Sequence, residues 1–542
     1  MTREWFPKQT IGALVDERVR RHGAREALMF RGRRWTFAQL AEDVDAVARG
    51  LLALGIEPGD TVALWMTNRP ECVQAALAVM RIGAVLLPVN ARFRTEDLAY
   101  VLGQSDSKAL LFAARSGPID YLGMVQALLP SLEAGGDVVG EPKFPALQRV
   151  VVLGDAEAPG MVRWDGLLAS GARVSADALR ARVAAVDPDA TAFLLYTSGT
   201  TGFPKGVMHC HNIIRNVTDR ASRLAITPAD TILMYLPLFH IFGFSEGLLM
   251  SMVTGARQIL TETFDPNESL RLVQEERATI LHGFDTHFRD LLEAQQKAPR
   301  DVSSIRTGLL ASGLSSSVSV ARQARAELGR FVSVYGMTEF GIAAVSALDS
   351  TEEQCVEASG CPSPGYEPKV IDPATGGEQP PGVPGEILMR SYMLMRGYYG
   401  KPEETAKVID DERWMHTGDT GVLRPDGHLR FMGRYKDMLK IGGENVDPIE
   451  VETYLMTHPA IDMAAVVGLP DPRLSEVAVA FVRVRPAQQV TEAELIEHCR
   501  GKIASFKIPR HVVVVAELPM TSSGKIQKVT LREEATRRIP AA

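Results

Sequence analysis

The sequence predicts a layered α/β fold: a large amino-terminal domain with several sheets, followed by a small α+β domain. Three observations predict it. The chain has 542 residues, of which 46% are hydrophobic and 23% charged, enough for more than one sizeable core. A strand–helix–strand unit, typical of parallel sheets, occurs within the first 90 residues. After Gly433 a charged segment leads into a compact run of short elements, so we expect the large domain to span 1–433.

The strand–helix–strand unit begins after an amphipathic helix. Apolar residues between 36 and 54 recur at spacings of three and four, and Thr36 with Gln39 forms a capping box. A turn at 58–60 precedes a strand at 62–66. Asn68 is then expected to cap a helix through Met80, which ends before a strand at 84–89.

Further along the chain, strands are expected at 192–195 and 331–335, and surface turns or a short β excursion at 347–385. The small domain should hold a helix from Pro448, strands at 464–468 and 477–484, a helix from Thr491 and a strand at 512–516. The segment 231–256 is nearly all apolar over a membrane-spanning length. Because it carries Pro237, Gly243 and the ionisable Glu246, we interpret it as buried core lining a pocket.

Composition excludes several classes of function. A net charge of −7 and a pI near 6.0 lack the basic excess of a nucleic-acid binder. The five cysteines are odd in number, scattered and without a CxxC pair, which favours neither disulfides nor a zinc site. The triplet 209–211, His-Cys-His, has no partner cluster that would complete a metal site. Neither end resembles a targeting signal, so we expect a cytoplasmic protein.

The segment 196–207, YTSGTTGFPKGV, is the sharpest chemical signal. Its glycines allow close approach of the backbone to a ligand, and its hydroxyls and lysine supply donors and positive charge, so it predicts a phosphate cradle. It differs from the GxxxxGK[ST] loop of common NTPases, and the alternative is a Gly/Thr surface loop. The candidate phosphate-binding residues are Thr197, Ser198, Gly199, Thr200, Thr201 and Lys205.

With this segment and four others, the chain resembles the adenylate-forming superfamily of acyl-CoA synthetases, peptide-synthetase adenylation domains and beetle luciferases. The other four are VYGMTE (334–339), HTGD (416–419), GRYKDMLKIGGENVDPIEVE (433–452) and PMTSSGKIQK (519–528). They occur in the family's order and at its usual intervals, over nearly the whole chain.

The resemblance implies an ATP site made from these motifs. Tyr335 would stack on adenine, Thr338 would bind the α-phosphate, and Glu339 would hold Mg²⁺. Asp419 and Arg434 would bind the ribose. Ser312, Gly313 and Gly336 border the adenine pocket in relatives.

The resemblance also implies a catalytic lysine, because a carboxylate that attacks the α-phosphate of ATP is repelled by it. Lys525 would be the cation that bridges the two anions. The small domain would then rotate about a hinge at 434–440, centred on Asp437, so that 441–542 forms a mobile domain. Rotation would bring the CoA-binding residues Lys440, Gly442, Gly443 and Glu444 to the site.

The acid itself is harder to predict. Acetate-activating relatives have Trp where this chain has Gly336, so the acyl pocket should extend beyond two or three carbons. His240 matches a position near the acyl carboxylate, with a buried core histidine as the alternative. The sequence departs from the family at 312–314 and 285–286, beside the adenine and acyl pockets. The other expected acyl-pocket residues are Phe239, Phe244, Leu314, Met337 and Phe340.

The resemblance implies an AMP-forming carboxylic acid–CoA ligase that uses Mg²⁺, ATP and CoA, and the late segments, including SSGKIQK, are most similar to medium-chain fatty acyl-CoA synthetases. The alternatives are an aryl or alicyclic acid–CoA ligase, an enzyme that loads a carrier protein, a nucleotide hydrolase, and an ATP-independent acyl- or membrane-binding protein. We expect small-molecule partners, with neither nucleic acid nor an integral membrane span, and the sequence leaves a homodimer open.

Overall fold

The computed structural model describes residues 7–134, 140–154, 158–197, 204–312, 315–373, 375–434, 439–446, 448–485, 487–519 and 526–539. The chain divides into two compact units, each built from separate segments. Unit 1 comprises Met1–Ala91, Leu102–Leu195 and Gly206–Gly433, and unit 2 comprises Arg92–Val101, Tyr196–Lys205 and Arg434–Ala542.

Helices and strands alternate along the chain, as the sequence predicts. Up to residue 200 they are α1 (Ile11–His22), β1 (Glu26–Phe30), β2 (Arg33–Thr36), α2 (Phe37–Ala53), β3 (Thr61–Trp65), α3 (Pro70–Arg81), β4 (Val85–Pro88), α4 (Thr95–Gln104), β5 (Ala109–Ala113), β6 (Arg115–Ser116), β7 (Ile119–Asp120), α5 (Tyr121–Leu128), a 3-10 helix (Pro130–Ala134), β8 (Arg149–Leu153), β9 (Val162–Arg163), α6 (Trp164–Gly171), α7 (Ala176–Ala184) and β10 (Thr191–Thr197).

The next stretch carries most of the motifs found in the sequence. Its elements are β11 (Lys205–Cys210), α8 (Ile213–Arg223), β12 (Thr231–Met234), α9 (Ile241–Gly243), a π-helix (Phe244–Leu249), α10 (Met250–Thr254), β13 (Arg257–Leu260), α11 (Pro266–Glu276), β14 (Ile280–Leu281), β15 (Gly283–Phe284), α12 (Asp285–Lys297), β16 (Thr307–Ala311), α13 (Ser315–Glu327), β17 (Arg330–Met337), β18 (Gly341–Val345), α14 (Glu352–Val356), β19 (Cys361–Pro362), β20 (Tyr366–Ile371), β21 (Gly385–Ser391), α15 (Pro402–Ala406), β22 (Met415–Leu423) and β23 (Leu429–Arg434).

The carboxyl-terminal segment of unit 2 is a small α+β structure with its own apolar clusters. Its elements are β24 (Leu439–Ile441), β25 (Glu444–Val446), α16 (Pro448–Leu455), β26 (Ile461–Asp471), β27 (Ser475–Val484), α17 (Glu492–Cys499), a 3-10 helix (Ser505–Lys507), β28 (His511–Val515) and α18 (Lys528–Arg538).

Two of the sheets are largely parallel, as the strand–helix–strand pattern predicts. The first has the order β19-β18-β17-β16-β14-β12-β13-β1-β2, with β15 beside β16. The second has the order β11-β10-β4-β3-β5-β8-β9, and its strands from β10 to β9 are parallel. A sheet of β20 to β23 and the sheet β25-β24-β27-β26, with β28 beside β27, complete the larger layers. The predicted layered α/β fold with a smaller α+β region is therefore confirmed.

The first helical predictions hold in detail, with one correction. Helix α2 begins after Thr36, and the capping box with Gln39 is present. Helix α3 begins one residue later than predicted, because Arg69 is its N-cap and Pro70 occupies its first turn. Asn68 instead ties two segments together: its amide donates to Leu236 O at 2.9 Å and its Oδ1 accepts from Leu238 N–H at 2.9 Å.

The apolar segment 231–256 lies in the core and is divided into short elements, β12, α9, the π-helix and α10. Its Glu246 is fully buried and paired with the equally buried Arg220, with Nε to Oε1 at 2.7 Å. This pairing is what makes a carboxylate tolerable there. Within the described parts of the chain, no helix is both long and apolar enough to cross a membrane.

Candidate active site

The hairpin of β17 and β18 presents the VYGMTE motif. Tyr335 lies in β17 and is 6% exposed, and its hydroxyl donates to Asp419 Oδ2 at 2.8 Å. Asp419 is 2% exposed and lies in β22, where its backbone N–H donates to Thr417 Oγ1. Two motifs 84 residues apart thus meet, and Tyr335 fixes the orientation of the Asp419 carboxylate.

The Tyr335 ring is also placed by an aromatic neighbour. Phe431 of β23 stacks against it, with ring centroids 5.9 Å apart and planes inclined by 30°. Phe340 contacts it at 6.1 Å in a tilted arrangement. A tyrosine that is packed by rings and hydrogen-bonded at its hydroxyl is a rigid part of the site.

Glu339, in the turn after β17, is a buried carboxylate with a defined partner. It is 7% exposed, and the hydroxyl of Tyr398 donates to its Oε1 at 3.0 Å. Its backbone carbonyl accepts from Met395 N–H at 2.7 Å. Burial, followed by the charge of Glu339, raises the pKa of Tyr398 far above its usual value, so Tyr398 stays protonated and acts as a donor.

His209 of β11 holds the neighbouring residue. Its Nε2 lies 2.5 Å from the carbonyl oxygen of Thr338 and donates to it. His209 is 2% exposed, and burial lowers its pKa to about 4, so the ring is neutral near pH 7. The backbone of Thr338 is therefore anchored by a neutral imidazole from another strand.

The HTGD motif is fixed by Glu386 of β21. Its Oε1 accepts from the backbone N–H of Gly418 at 3.1 Å, and its Oε2 lies 3.1 Å from His416 Nδ1. Gly418 adopts a φ of 68°, which disfavours other residue types. Glu386 thus holds the part of β22 before Asp419 at two points.

Ser312 is placed among backbone groups. It is 7% exposed, its hydroxyl donates to Cys355 O at 3.2 Å, and its carbonyl accepts from the Ser359 hydroxyl at 2.8 Å. Gly313 and Leu314 lie outside the described residues. A role for Ser312 in binding ATP stays a prediction.

The expected acyl residues have different environments. Phe239 and His240 are partly buried, with ring centroids 4.8 Å apart, and Met337 is half-buried. Phe244 is 1% exposed and packs on Phe193 at 5.1 Å. Phe340 is fully buried. Their assignment to an acyl pocket stays a prediction.

Gly336 has a second reason to be glycine. A Cβ at this position would lie 2.5 Å from Gly341 O and 2.9 Å from Ile342 Cα, both in the facing strand β18. The close approach of the two strands therefore requires glycine, whatever its effect on the acyl pocket.

Unit 2 carries the remaining candidates. Lys205 is 4% exposed, and Thr197 ends β10. Gly442 and Gly443, with φ of 58° and 83°, form the tight turn between β24 and β25. At either side of that turn, Lys440 N–H donates to Glu476 Oε2 at 2.7 Å, and Glu444, 5% exposed, pairs with Arg92 at 3.4 Å.

Of the remaining predicted residues, Arg434 ends β23. The others lie outside the described residues: Ser198, Gly199, Thr200, Thr201, Gly313, Leu314, Asp437 and Lys525.

Sequence reasoning missed four contributors to the site: His209, Glu386, Tyr398 and Phe431. His209 was considered only as a metal ligand, and Tyr398 lies in RGYYG, where two adjacent tyrosines gave no reason to choose one. Within the described residues no group of three or more His, Cys, Asp or Glu could hold a metal ion by itself. A metal at Glu339 would need ligands from a substrate.

Two family models match the chain. The model described as "AMP-binding enzyme" matches residues 15–399, and the model described as "AMP-binding enzyme C-terminal domain" matches residues 450–525. The first match includes the segments 196–207 and 334–339, the second ends at Lys525, and HTGD at 416–419 lies in the interval between the two matches.

The chain is also similar over nearly its full length to individual proteins. YngI of Bacillus subtilis, named as an acyl-CoA synthetase, is 38% identical over 97% of each chain. The rat mitochondrial medium-chain acyl-CoA ligase ACSF2 is 34% identical over 97% of this chain and 87% of its own length. The solved structure of o-succinylbenzoate CoA synthetase MenE from Bacillus subtilis has a TM-score of 0.80 at 26% identity, covering 97% and 98% of the two chains.

Proposed function

Because the chain belongs to the AMP-binding enzyme family of acyl-CoA synthetases and ligases, we propose that it joins a medium-chain fatty acid to CoA through an acyl-adenylate. The observation that carries this proposal is the pair of buried carboxylates, Asp419 and Glu339, each held by a tyrosine hydroxyl beside the end of β17. This arrangement suits a ligand that has both hydroxyl groups, which one carboxylate can accept hydrogen bonds from, and a metal-bound phosphate, whose metal the other carboxylate can bind.

In the proposed first step, the substrate carboxylate attacks the α-phosphate of ATP and pyrophosphate leaves. Asp419 accepts hydrogen bonds from the ribose hydroxyls, and Arg434 donates to the ribose. The Tyr335 ring and the backbone at Gly336 border the adenine, while Thr338 binds the α-phosphate. Because His209 holds the Thr338 carbonyl by a hydrogen bond, the backbone that carries the Thr338 hydroxyl is fixed in position.

The residues present fit Mg²⁺ held partly by substrate. Glu339 is a buried hard-oxygen ligand whose orientation is set by Tyr398, and Mg²⁺ commonly combines one or two carboxylates with substrate phosphates. When bound, the ion would neutralise charge on the phosphate oxygens. The chain's own contribution is to hold the Glu339 carboxylate in a fixed orientation.

Lys525 is proposed as the cation that bridges the attacking carboxylate and the α-phosphate, with the phosphate cradle at 197–205 holding the other phosphates. The second step needs access for the CoA thiol, which attacks the adenylate carbonyl and releases AMP. Rotation of a domain spanning 441–542 about 434–440, with Asp437 as pivot, would exchange Lys525 for the turn containing Gly442 and Gly443. Lys440 and Glu444 would flank the pantetheine arm of CoA.

The medium-chain assignment is supported by the similarity to ACSF2 over nearly the whole chain. A second candidate, an aryl acid–CoA ligase, is favoured by a series of aromatic contacts that begins two residues after His240 in the sequence. Phe242 meets Phe284 at 5.2 Å, and Phe284 meets His287 at 5.9 Å. Flat rings of this kind suit an aromatic acid. The similarity to MenE points the same way.

The test is acid-dependent release of pyrophosphate, with AMP and thioester formation, across short, medium, long and aromatic acids with Mg-ATP and CoA. A maximum at medium chain lengths would support the first candidate, and a maximum at aromatic acids the second. Formation of ADP and phosphate, or activity without any acid, would overturn both.

The role of Lys525 is tested separately. Lys525→Ala should abolish pyrophosphate release while leaving ATP binding intact, because a cation that acts on the transition state is not needed for the ground state. Lys502→Ala, at an exposed position of the same unit, is the matched control and should retain full activity. Normal pyrophosphate release in Lys525→Ala would disprove the assignment. A cytoplasmic location and a homodimer remain predictions.

A further inference from the structure

A cavity of about 560 Å³ lies at the carboxyl edge of the second parallel sheet, in unit 1. Residues that line it follow three neighbouring strands: Arg69 follows β3, Arg115 follows β5, and Gly154 follows β8. None of the lining residues belongs to the motifs assigned to ATP, acyl group or CoA. The cavity is therefore separate, in its residues, from the proposed active site.

The strand order makes this edge a position where a ligand site is expected. Strand β3 lies between β4 and β5, and all three are parallel. The chain passes from β3 to β4 on one side and then returns to β5 on the other. The connections diverge at that point and leave a crevice, where ligands of open α/β sheets characteristically bind.

Guanidinium groups dominate the hydrogen-bond donors of the crevice. Arg69, Arg115 and Arg163 all line it. The pair of Arg115 with Asp120 spans 3.8 Å, which is longer than a hydrogen bond. The guanidinium fork suits planar carboxylates and phosphates.

Carboxylates also line the crevice, so its formal charge is balanced, but one of them is engaged within the protein and another lies in solvent. Asp120 Oδ1 accepts from Gly123 N–H at 3.2 Å and caps α5. Asp165 has 86% of its side chain exposed to solvent. Recognition of an anion would therefore depend on the arginines.

Arg69 gives the most direct sign of a missing acceptor. Its Nη2 pairs with Glu262 at 3.3 Å, and its side chain is 18% exposed. Its Nε is buried and has no hydrogen-bond partner among the described residues. Glu262 already accepts from Thr67 and Ser116 hydroxyls, at 2.8 and 2.7 Å. A buried donor without an acceptor calls for one from outside the protein.

We propose that this crevice binds a small metabolite carrying two or more carboxylate or phosphate groups. Arg69 would hold it at the base of the crevice, and Arg115 and Arg163 would hold it at the rim. A volume of about 560 Å³ is within the range of small-molecule sites. This binding does not depend on the proposed ligase activity.

The test is calorimetric titration of the full chain with citrate in magnesium-free buffer, followed by the same titration with inorganic phosphate. We expect saturable binding of one citrate per chain with a Kd of about 1 mM or tighter. Competition between the two anions shows that they share the site, and the tighter one identifies the favoured class. Absence of saturable binding by both anions would overturn the proposal.

Variants locate the binding. Arg115→Ala with Arg163→Ala should weaken citrate at least about tenfold, because charged hydrogen bonds are lost. Both side chains are substantially exposed, at 75% and 48%, so folding should not depend on them. Arg180→Ala, exposed at 70% and outside the crevice, is the matched control.

A second variant changes shape without changing charge. Leu122→Trp, at a partly buried lining position, should fill the crevice and weaken citrate to a similar extent. A thermal unfolding midpoint close to that of the parent checks that each variant is folded. Citrate binding that is unchanged in the double arginine variant would show that the anion lies elsewhere and would overturn the proposal.

Discussion

Replacing Tyr398 with Phe removes one oxygen atom and one hydrogen bond from the candidate site. That bond runs from the Tyr398 hydroxyl to Oε1 of Glu339 over 3.0 Å. Both residues are buried, so solvent does not readily replace the lost donor. The change tests whether the orientation of the Glu339 carboxylate matters to the reaction.

The expected size follows from the type of bond. A hydrogen bond to a charged group contributes about 1.5–3 kcal/mol. In the proposed reaction this bond orients the Glu339 carboxylate for the transition state, so its removal should slow pyrophosphate release by about ten- to a hundredfold.

The assay is acid-dependent pyrophosphate release by Tyr398→Phe and by Tyr399→Phe. The neighbouring Tyr399 is the matched control, because its hydroxyl also donates to a carboxylate, Asp106 Oδ2 at 3.0 Å, but in an exposed pair. Tyr399→Phe should leave the rate unchanged. Equal rates for the two variants would refute the assigned role of Tyr398.

Three further outcomes are expected. Burial lowers the pKa of three histidines (His209, His211, His282) to about 4. Below about pH 6.5 these histidines take up protons in the unfolded state but stay neutral in the folded state. As the pH falls from about 6.5 to about 4, each should therefore lower the free energy of unfolding by about 1.4 kcal/mol per pH unit. His282→Asn should make the free energy of unfolding depend less steeply on pH. Gly336→Ala should cost about 1–3 kcal/mol of stability in denaturant unfolding. Gly166→Ala, whose Cβ would meet only Val162 Cγ1 at the ordinary contact distance of 3.8 Å, should cost nothing. Lys507→Met should lower the free energy of unfolding by about 3–5 kcal/mol, because it leaves the carboxylates of Asp97 and Glu450, now 2.9 and 2.6 Å from Lys507 Nζ, without this cation. Lys502→Met, at an exposed position, should leave the free energy of unfolding unchanged. Equal stability of the two lysine variants would contradict the importance of the buried Lys507 pairs.

The sequence predicted the parts of the fold that local rules govern. The capping box of Thr36 and Gln39 sets the start of α2, because both partners lie within one turn. Asn68 was assigned the same kind of role wrongly, since its amide instead binds backbone groups near residues 236–238, far along the chain. A side chain with a choice between a local and a distant partner cannot be assigned from spacing alone.

The same distinction applies to the candidate site. Tyr335, Glu339 and Asp419 were found because each lies in a recognisable motif. Tyr398 and His209 were missed as contributors because their partners, Glu339 and Thr338, are 59 and 129 residues away. The glycine at 336 was explained from the sequence as leaving room in the acyl pocket. In the structure, the facing strand β18 leaves no room for a Cβ at this position. Packing across a sheet leaves little trace in the order of residues along one strand.

The discontinuous make-up of unit 2 has a consequence for how the protein is synthesised. Its buried pair of Asp97 and Lys507 joins residues 410 positions apart, with unit 1 segments between them. Asp97 leaves the ribosome long before Lys507 exists, so this part of the core cannot close until translation is nearly complete. A fragment beginning at 434 would lack Asp97 altogether and would carry Lys507 without one of its two anions. The first segment of unit 2 can therefore form its ion pair with Lys507 only after most of the last hundred residues of the chain have been synthesised.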